Sequence, residues 1–430
     1  MNILMMSNTY SPIVGGLEKS VQTFSEEYRK RGHRVIVAAP VFEGTPPVEE
    51  DVIRLPAIRN FNGTDFSVPV PAPGFLQEAL KDFTPDIIHV HHPFFIGDTA
   101  LRTAYQFNVP LIYTYHTMFE YNTHYVPGDS PAIKRFVIRL SVGFANLADH
   151  VFAPSGGIKT MLQRRGVKSP VTVVPTGIDL QRYSIGDRVR SRARFGVPAE
   201  AFVVGYAGRL AAEKNLEFLC RCVLLFLKRR KNACFLVAGG GPLEESIRDA
   251  FRSKAMEDRL IFTGVLEGDE IVDAYYAMDV FAFASQSETQ GLCLVEAMAV
   301  GVPIVAVDAP GFHGLVENGR NGYILARASE AEFAAALERL ASLPAEARRA
   351  MGLGARSTAA LYSKELCADR ALAVYETVRA SGVRRRDRGA VWGDSAWSKM
   401  LLRPLSAQWK LIKNMTEAAA AAVKGGSGLM

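Results

Sequence analysis

The feature that most constrains this chain is an alternation of short, almost wholly apolar runs with stretches of helical spacing. Asn2–Met6 is the first run, and residues 17–31 then carry Val21, Phe24 and Tyr28 on one helical face before Gly32 stops them. Further apolar runs follow at 34–39, 86–91, 111–116, 150–153 and 171–174. Strands that are apolar throughout are buried on both faces, as in a parallel sheet covered by helices. Residues 175–194, with their charged end, read as a linker, and then the pattern starts afresh. Phe202–Ala207 and a helix through Leu216–Arg229 are followed by strands at 234–238, 260–263, 280–284 and 303–307. The expectation is an α/β protein of two Rossmann-like halves, with a ligand cleft at their junction.

Charge is distributed unevenly over the 430 residues. Of 50 basic and 44 acidic side chains, nine basic and three acidic lie in residues 381–430, so this stretch holds the whole net charge of +6. All three tryptophans, Trp392, Trp397 and Trp409, lie there too. The balanced body offers no basic face, and no nucleic-acid partner is expected. On a helical wheel Met400, Leu401, Leu402, Leu405, Trp409, Leu411, Ile412 and Met415 share an arc, with Lys399, Arg403, Lys410 and Lys413 opposite. That is the pattern of an interfacial helix on an anionic membrane surface, kinked at Pro404, although the same arc can dock on the body or on another subunit. Five cysteines form no disulfide framework and fit reduced thiols in the cytoplasm. With no apolar run of membrane-spanning length, and a start that lacks a basic leader, a peripheral cytoplasmic protein is expected.

Several segments carry residue types suited to binding or chemistry. Gly15 and Gly16 lie between the first strand and the first helix, where glycine lets backbone approach an anion at a positive helix terminus. The segment is not GxGxxG, and no acidic residue holds the ribose position, so a nicotinamide site is disfavoured. Arg209 and Lys214 follow the first strand of the second half and are suited to a diphosphate. Glu288 and Glu296 straddle a turn and the start of a helix, with Gly291 between them; two such carboxylates can accept hydrogen bonds from sugar hydroxyls. His89, His91 and His92 crowd one strand end, but no carboxylate or cysteine completes a metal set there. His116 ends the strand at 111–115, the ligand-bearing edge of such sheets.

With Gly15-Gly16, Arg209 and Lys214, the run Gly239-Gly240-Gly241-Pro242, and Glu288 with Glu296 in this order and spacing, the chain resembles the retaining glycosyltransferases of family 4, over about residues 1–380. Two segments, 115–127 and Thr289-Gln290-Gly291, look like those of bacterial diacylglycerol glucosyltransferases. The resemblance implies the GT-B fold, with two Rossmann-like domains facing a central cleft. These would be an acceptor domain at 1–183 and a donor domain at 196–364, followed by a crossover helix at 365–380 and the basic tail at 381–430. It implies a hexosyltransferase, with glucose from UDP-glucose passing to a lipid such as diacylglycerol. A soluble sugar, a polysaccharide or phosphatidylinositol is the alternative acceptor, and GDP-mannose the alternative donor. Gly16 would meet the donor phosphates with Gly15 beside it, Arg209 and Lys214 the diphosphate, Glu296 the ribose and Glu288 the transferred sugar. His116 would reach the sugar's 6-hydroxyl region, and backbone at Thr289, Gln290, Gly291 and Leu292 the other hydroxyls. His91, Glu120, Tyr121, His124 and Tyr125 would lie on the acceptor side. No cofactor or catalytic metal is implied. Retention on one face, with the leaving phosphate taking the acceptor proton, and a double displacement both remain open.

Overall fold

The computed structural model describes residues 1–59, 67–70, 74–123, 130–381 and 403–423. It divides into two compact units, Met1–Gly177 with Lys364–Met430, and Ile178–Ser363. Each is built on its own parallel sheet.

The first unit has seven strands in the order Val52–Leu55, Arg34–Pro40, Asn2–Met6, Ile87–Val90, Leu111–Thr114, His150–Ala153 and Val171–Val173. Side chains alternate across a strand, so each apolar run supplies two faces. Leu4, Met6, Ile88, Val90 and Tyr113 enter one core cluster, while Ile3, Met5, Ile87 and Ile112 enter another. Helix Gly16–Lys30 covers the second cluster with Val21, Phe24 and Tyr28. Helix Lys364–Ala380 joins it there through Cys367, Ala368, Ala371, Leu372 and Tyr375. The first cluster is closed by Ile96–Phe107 and Pro131–Leu147, onto which Arg403–Val423 packs.

The second unit has six strands, ordered Leu260–Gly264, Ala233–Ala238, Phe202–Ala207, Val280–Phe283, Ile304–Val307 and Gly322–Leu325, all parallel. Two glycines bring its loops together. A Cβ on Gly239 (φ 147°) would lie 2.0 Å from the Gly208 carbonyl oxygen, and one on Gly241 would lie 2.5 Å from that of Leu210. The Gly239–Gly241 run therefore packs backbone to backbone against the turn that carries Arg209.

Two readings need correction. From Ile178 onward, the stretch taken as a linker is packed within the second unit. Tyr183 is in its core, and Arg188–Arg194 is a helix capped by Asp187. Arg192 is buried and donates to Ala277 O, Ala199 O and Asp279. Its charge run resembled solvent-facing sequence because Asp279, the neutralising partner, is remote in the chain. The tail arc also divides. Leu411 is buried with Ala407, Asn414 and Ala418, whereas Trp409, Ile412 and Met415 stay exposed. The helix docks on a narrow seam of small residues, and Asn414 Nδ2 donates to Leu140 O at 3.1 Å beside Gly143. Lys410, expected on the opposite side, reaches the hydroxyl of Tyr105 at 2.5 Å. Trp392, Trp397, Lys399, Met400, Leu401 and Leu402 lie outside the described residues, as do the side chains of Arg403 and Leu405.

Candidate active site

In the second unit the sheet delivers its polar residues from two strand ends. The turn after Phe202–Ala207 becomes the 3₁₀ segment Ala212–Lys214, and Asn215, in the left-handed region, starts the next helix. The turn after Val280–Phe283 carries Ser285, Ser287 and Glu288, ending at Gly291 (φ 70°), which starts helix Leu292–Ala299. These two turns meet. Lys214 Nζ lies 2.5 Å from Glu288 Oε1, which also accepts from Ser285 Oγ at 3.1 Å. Ser287 Oγ donates to Glu213 O at 3.3 Å. Burial works against the Lys214 charge, but the adjoining Glu288 carboxylate outweighs it and raises the pKa. Lys214 is therefore a fixed cation.

Arg209 is more exposed, and its guanidinium is held by the buried carboxylate of Glu213. The Tyr206 hydroxyl donates to Arg209 O at 3.1 Å and fixes the backbone of that turn. Glu296 is buried, and its Oε2 accepts from the Tyr275 hydroxyl at 2.7 Å. The Tyr183 hydroxyl also bonds Glu296; burial, then this carboxylate, pushes the Tyr183 phenol well up. Burial likewise holds the Cys293 thiol well above its usual value, with Glu288 and Glu296 adding to it. Gln290 is buried, and the amides of Leu292 and Cys293 open a helix whose first turn has no intrahelical acceptors. Glu213, Ser285 and the two tyrosines were not singled out from sequence. Glu213 stands in the same short run as Arg209 and Lys214, but nothing in its spacing shows that it is buried.

In the first unit Gly15 caps helix Gly16–Lys30 in extended backbone, and Gly16 is exposed. Glu18 lies in the first turn, and its carboxylate would meet a Cβ on Gly15 at 2.4 Å. At the strand ends the histidines form a stack. His91 Nδ1 and His116 Nε2 are 2.9 Å apart, and the His89 and His91 ring centroids are 4.2 Å apart. His89 bridges Thr114 Oγ1 (2.6 Å) and the Tyr375 hydroxyl (2.5 Å). Burial drives all of them down, His89 to about 3 and His91 and His116 well below the usual value. His116 is thus a neutral hydrogen-bonding group.

Two of the residues expected on the acceptor side are buried. His91 is buried against His116, and Glu120 is buried and paired with Arg165 at 2.6 Å, so neither faces outward. Each has a partner distant in sequence, but His91 Nε2 and Glu120 Oε2 are buried with no hydrogen-bond partner. Tyr121 is exposed, while His124 and Tyr125 lie outside the described residues. Among the described residues no three His, Cys, Asp or Glu groups converge on one point as metal ligands.

Comparison with known proteins agrees with this chemistry. Residues 14–182 match the model for Glycosyltransferase Family 4, and residues 201–342 that for Glycosyl transferases group 1. The chain is 28% identical to an alpha-monoglucosyldiacylglycerol synthase of Streptococcus pneumoniae, over 74% of each protein. It is 29% identical to a GDP-mannose-dependent alpha-mannosyltransferase of Mycobacterium tuberculosis, over 88% of this chain and 97% of that protein. To a D-inositol 3-phosphate glycosyltransferase of Saccharomonospora viridis it is 31% identical, over 69% and 71%. Among solved structures, sucrose-phosphate synthase from Thermosynechococcus elongatus superposes with a TM-score of 0.74 at 20% identity, over 88% of this chain and 99% of that one. The Anabaena protein HepE in complex with UDP-glucose gives 0.67 at 20% identity, over 88% and 100%. These two show a shared GT-B fold. Strand-end cations beside carboxylates, on two Rossmann-like units matched by glycosyltransferase models, lead to one assignment: the chain belongs to glycosyltransferase family 4 and is a hexosyltransferase.

Proposed function

We propose that the protein transfers glucose from UDP-glucose to the hydroxyl of a lipid such as diacylglycerol, with retention at the anomeric carbon. The observation that carries a sugar-nucleotide donor is the Lys214–Glu288 pair beside Arg209 and Glu213, two cations fixed by two carboxylates at strand ends. Loss of a nucleoside diphosphate builds negative charge on the leaving oxygens, and cations held in place beforehand stabilise it without reorganising. Lys214 and Arg209 take that role. Glu288 takes the sugar hydroxyls, with the backbone of Thr289, Gln290, Gly291 and Leu292. Glu296, oriented by Tyr275 and Tyr183, takes the ribose. On the first unit, the Gly16 amide suits a phosphate, with Gly15 admitting it, and neutral His116 suits a sugar hydroxyl. Neither role calls for a side-chain nucleophile or a metal.

Glucose and a lipid acceptor are supported by the likeness to alpha-monoglucosyldiacylglycerol synthases, which recurs in a second organism, Acholeplasma laidlawii. A lipid acceptor implies a peripheral protein working at a membrane from the cytoplasmic side. Among the described residues no helix is long and apolar enough to cross a membrane. A second reading, GDP-mannose as donor, is favoured by the mannosyltransferase likeness, which spans 97% of that relative. Purified protein is incubated with UDP-glucose or GDP-mannose and either diacylglycerol in detergent or a soluble acceptor, and products are weighed by mass spectrometry. Glucosyl-diacylglycerol from UDP-glucose is the expected product. Transfer from GDP-mannose alone, or onto soluble acceptors alone, overturns the reading.

A further inference from the structure

Helix Arg403–Val423 is anchored along one edge and bare along the other. Ala407, Leu411, Asn414 and Ala418, spaced one and two turns apart, form the buried seam. The helix lies antiparallel to Pro131–Leu147: Arg135 donates to Ala422 O at 3.0 Å, while Asn414 sits over Gly143. Gln408 accepts from Arg102 on the neighbouring helix at 2.9 Å. Away from this seam Trp409 is 69% exposed, Ile412 43% and Met415 52%. Trp409 takes no part in the buried seam.

The charge around it is lopsided. Helices Ile96–Phe107, Pro131–Leu147 and Arg403–Val423 together carry seven basic residues against Asp98 and Glu417 alone. Arg139 and Lys413 are exposed among them. A second copy of the chain meeting this face by two-fold symmetry would oppose like charges, whereas an anionic surface would neutralise them. An indole with neighbouring aliphatic side chains suits the polar–apolar boundary of a bilayer, with basic residues reaching phosphates on either side.

We propose that the outer face of this helix, centred on Trp409 and Ile412, is a docking face for an anionic lipid bilayer. The helix works as a rigid blade seated on the first unit. The use of the face in catalysis rests on the lipid-acceptor reading, but the binding does not.

The test uses the full chain with Trp392→Phe and Trp397→Phe, leaving Trp409 as the one tryptophan. Its emission should shift to the blue with phosphatidylglycerol-containing vesicles and stay in place with pure phosphatidylcholine. Trp409→Ser with Ile412→Ser, both at exposed positions, should lower vesicle partitioning by about tenfold or more. Lys413→Gln should lower it about fivefold at low salt, as one lost charge predicts. Transfer to detergent-dispersed acceptor should be kept in these variants. An emission that ignores anionic vesicles, or a double serine variant that pellets like the parent, overturns the proposal. So does a blue shift on raising protein concentration without vesicles, which would assign the face to a second copy. Vesicle binding through Trp409 in a protein that glycosylates only soluble acceptors supports the face and overturns the lipid-acceptor reading instead.

Discussion

Lys214 keeps its charge in a largely buried position because the Glu288 carboxylate is 2.5 Å away, so the two residues act as a unit. Lys214→Ala should lower kcat about a hundredfold or more, the usual cost of removing one fixed donor from a developing charge. Glu288→Gln should also reduce turnover, since it releases the cation and alters the sugar contact. Steady-state rates for both, with urea unfolding to show that each variant folds, check this; near parental kcat in Lys214→Ala would remove it from the mechanism. A pH effect follows from the histidines. His89 and His92 remain neutral down to about 3 because burial disfavours their charged forms, whereas unfolded histidine titrates near 6.5. Below pH 6.5 the unfolded chain binds more protons, so stability must fall on acidification, continuing to about pH 3. Each such imidazole contributes up to about 1.4 kcal/mol per pH unit. Urea midpoints at pH 7.5 and 5.5 measure the slope, which His92→Asn should flatten by about one such increment; an unchanged slope would refute this account.

Elements were legible where periodicity alone decides them. Asn2–Met6 and Phe202–Ala207 have the ends the sequence suggests, because a buried strand is apolar until a turn residue stops it. Helix Arg188–Arg194 was misread because its partners Asp273 and Asp279 lie some 80 to 90 positions away. The edge strands Val52–Leu55 and Gly322–Leu325 were missed because Arg54 interrupts the apolar run of one and a glycine opens the other. The site was legible in kind: Arg209, Lys214, Glu288 and Glu296 all sit at strand ends or the helix after one. Their tethers, Glu213, Tyr183 and Tyr275, were hidden because only the fold brings them close. The Gly239 run gave the right signal for a reason that only structure supplies, the approach to Gly208. Gly239→Ala should cost about 1–3 kcal/mol through overlap and positive φ, and should weaken donor affinity by displacing the Arg209 turn. Denaturant midpoints and nucleotide titration measure both; a variant as stable and as tight-binding as the parent would show that the loops have slack.

At the scale of the whole molecule the chain leaves the first unit after Gly177, builds the second without interruption and returns at Lys364. The return is structural for the first unit. Tyr375 is fully buried, stacks on Phe152 at 5.8 Å, accepts from the Tyr28 hydroxyl at 3.4 Å and bonds His89 at 2.5 Å. A core assembled from both ends of the unit's sequence closes only when helix Lys364–Ala380 docks, whereas the second unit has a core made from one continuous segment. Tyr375→Ala should therefore destabilise the first unit selectively, by about 3–5 kcal/mol as for other large-to-small aromatic truncations. Amide exchange resolves the two units. Protection should fall in Ile3–Met6 and Ile87–Val90 and persist in Phe202–Ala207, because local opening free energy follows each core separately. Tyr375→Phe, which keeps the ring and loses the hydroxyl, should cost about 1–2 kcal/mol, with His89 left short of one partner. Equal loss of protection in both sheets would mean that the two cores unfold as one, and the returning helix would then be a clasp for the whole chain.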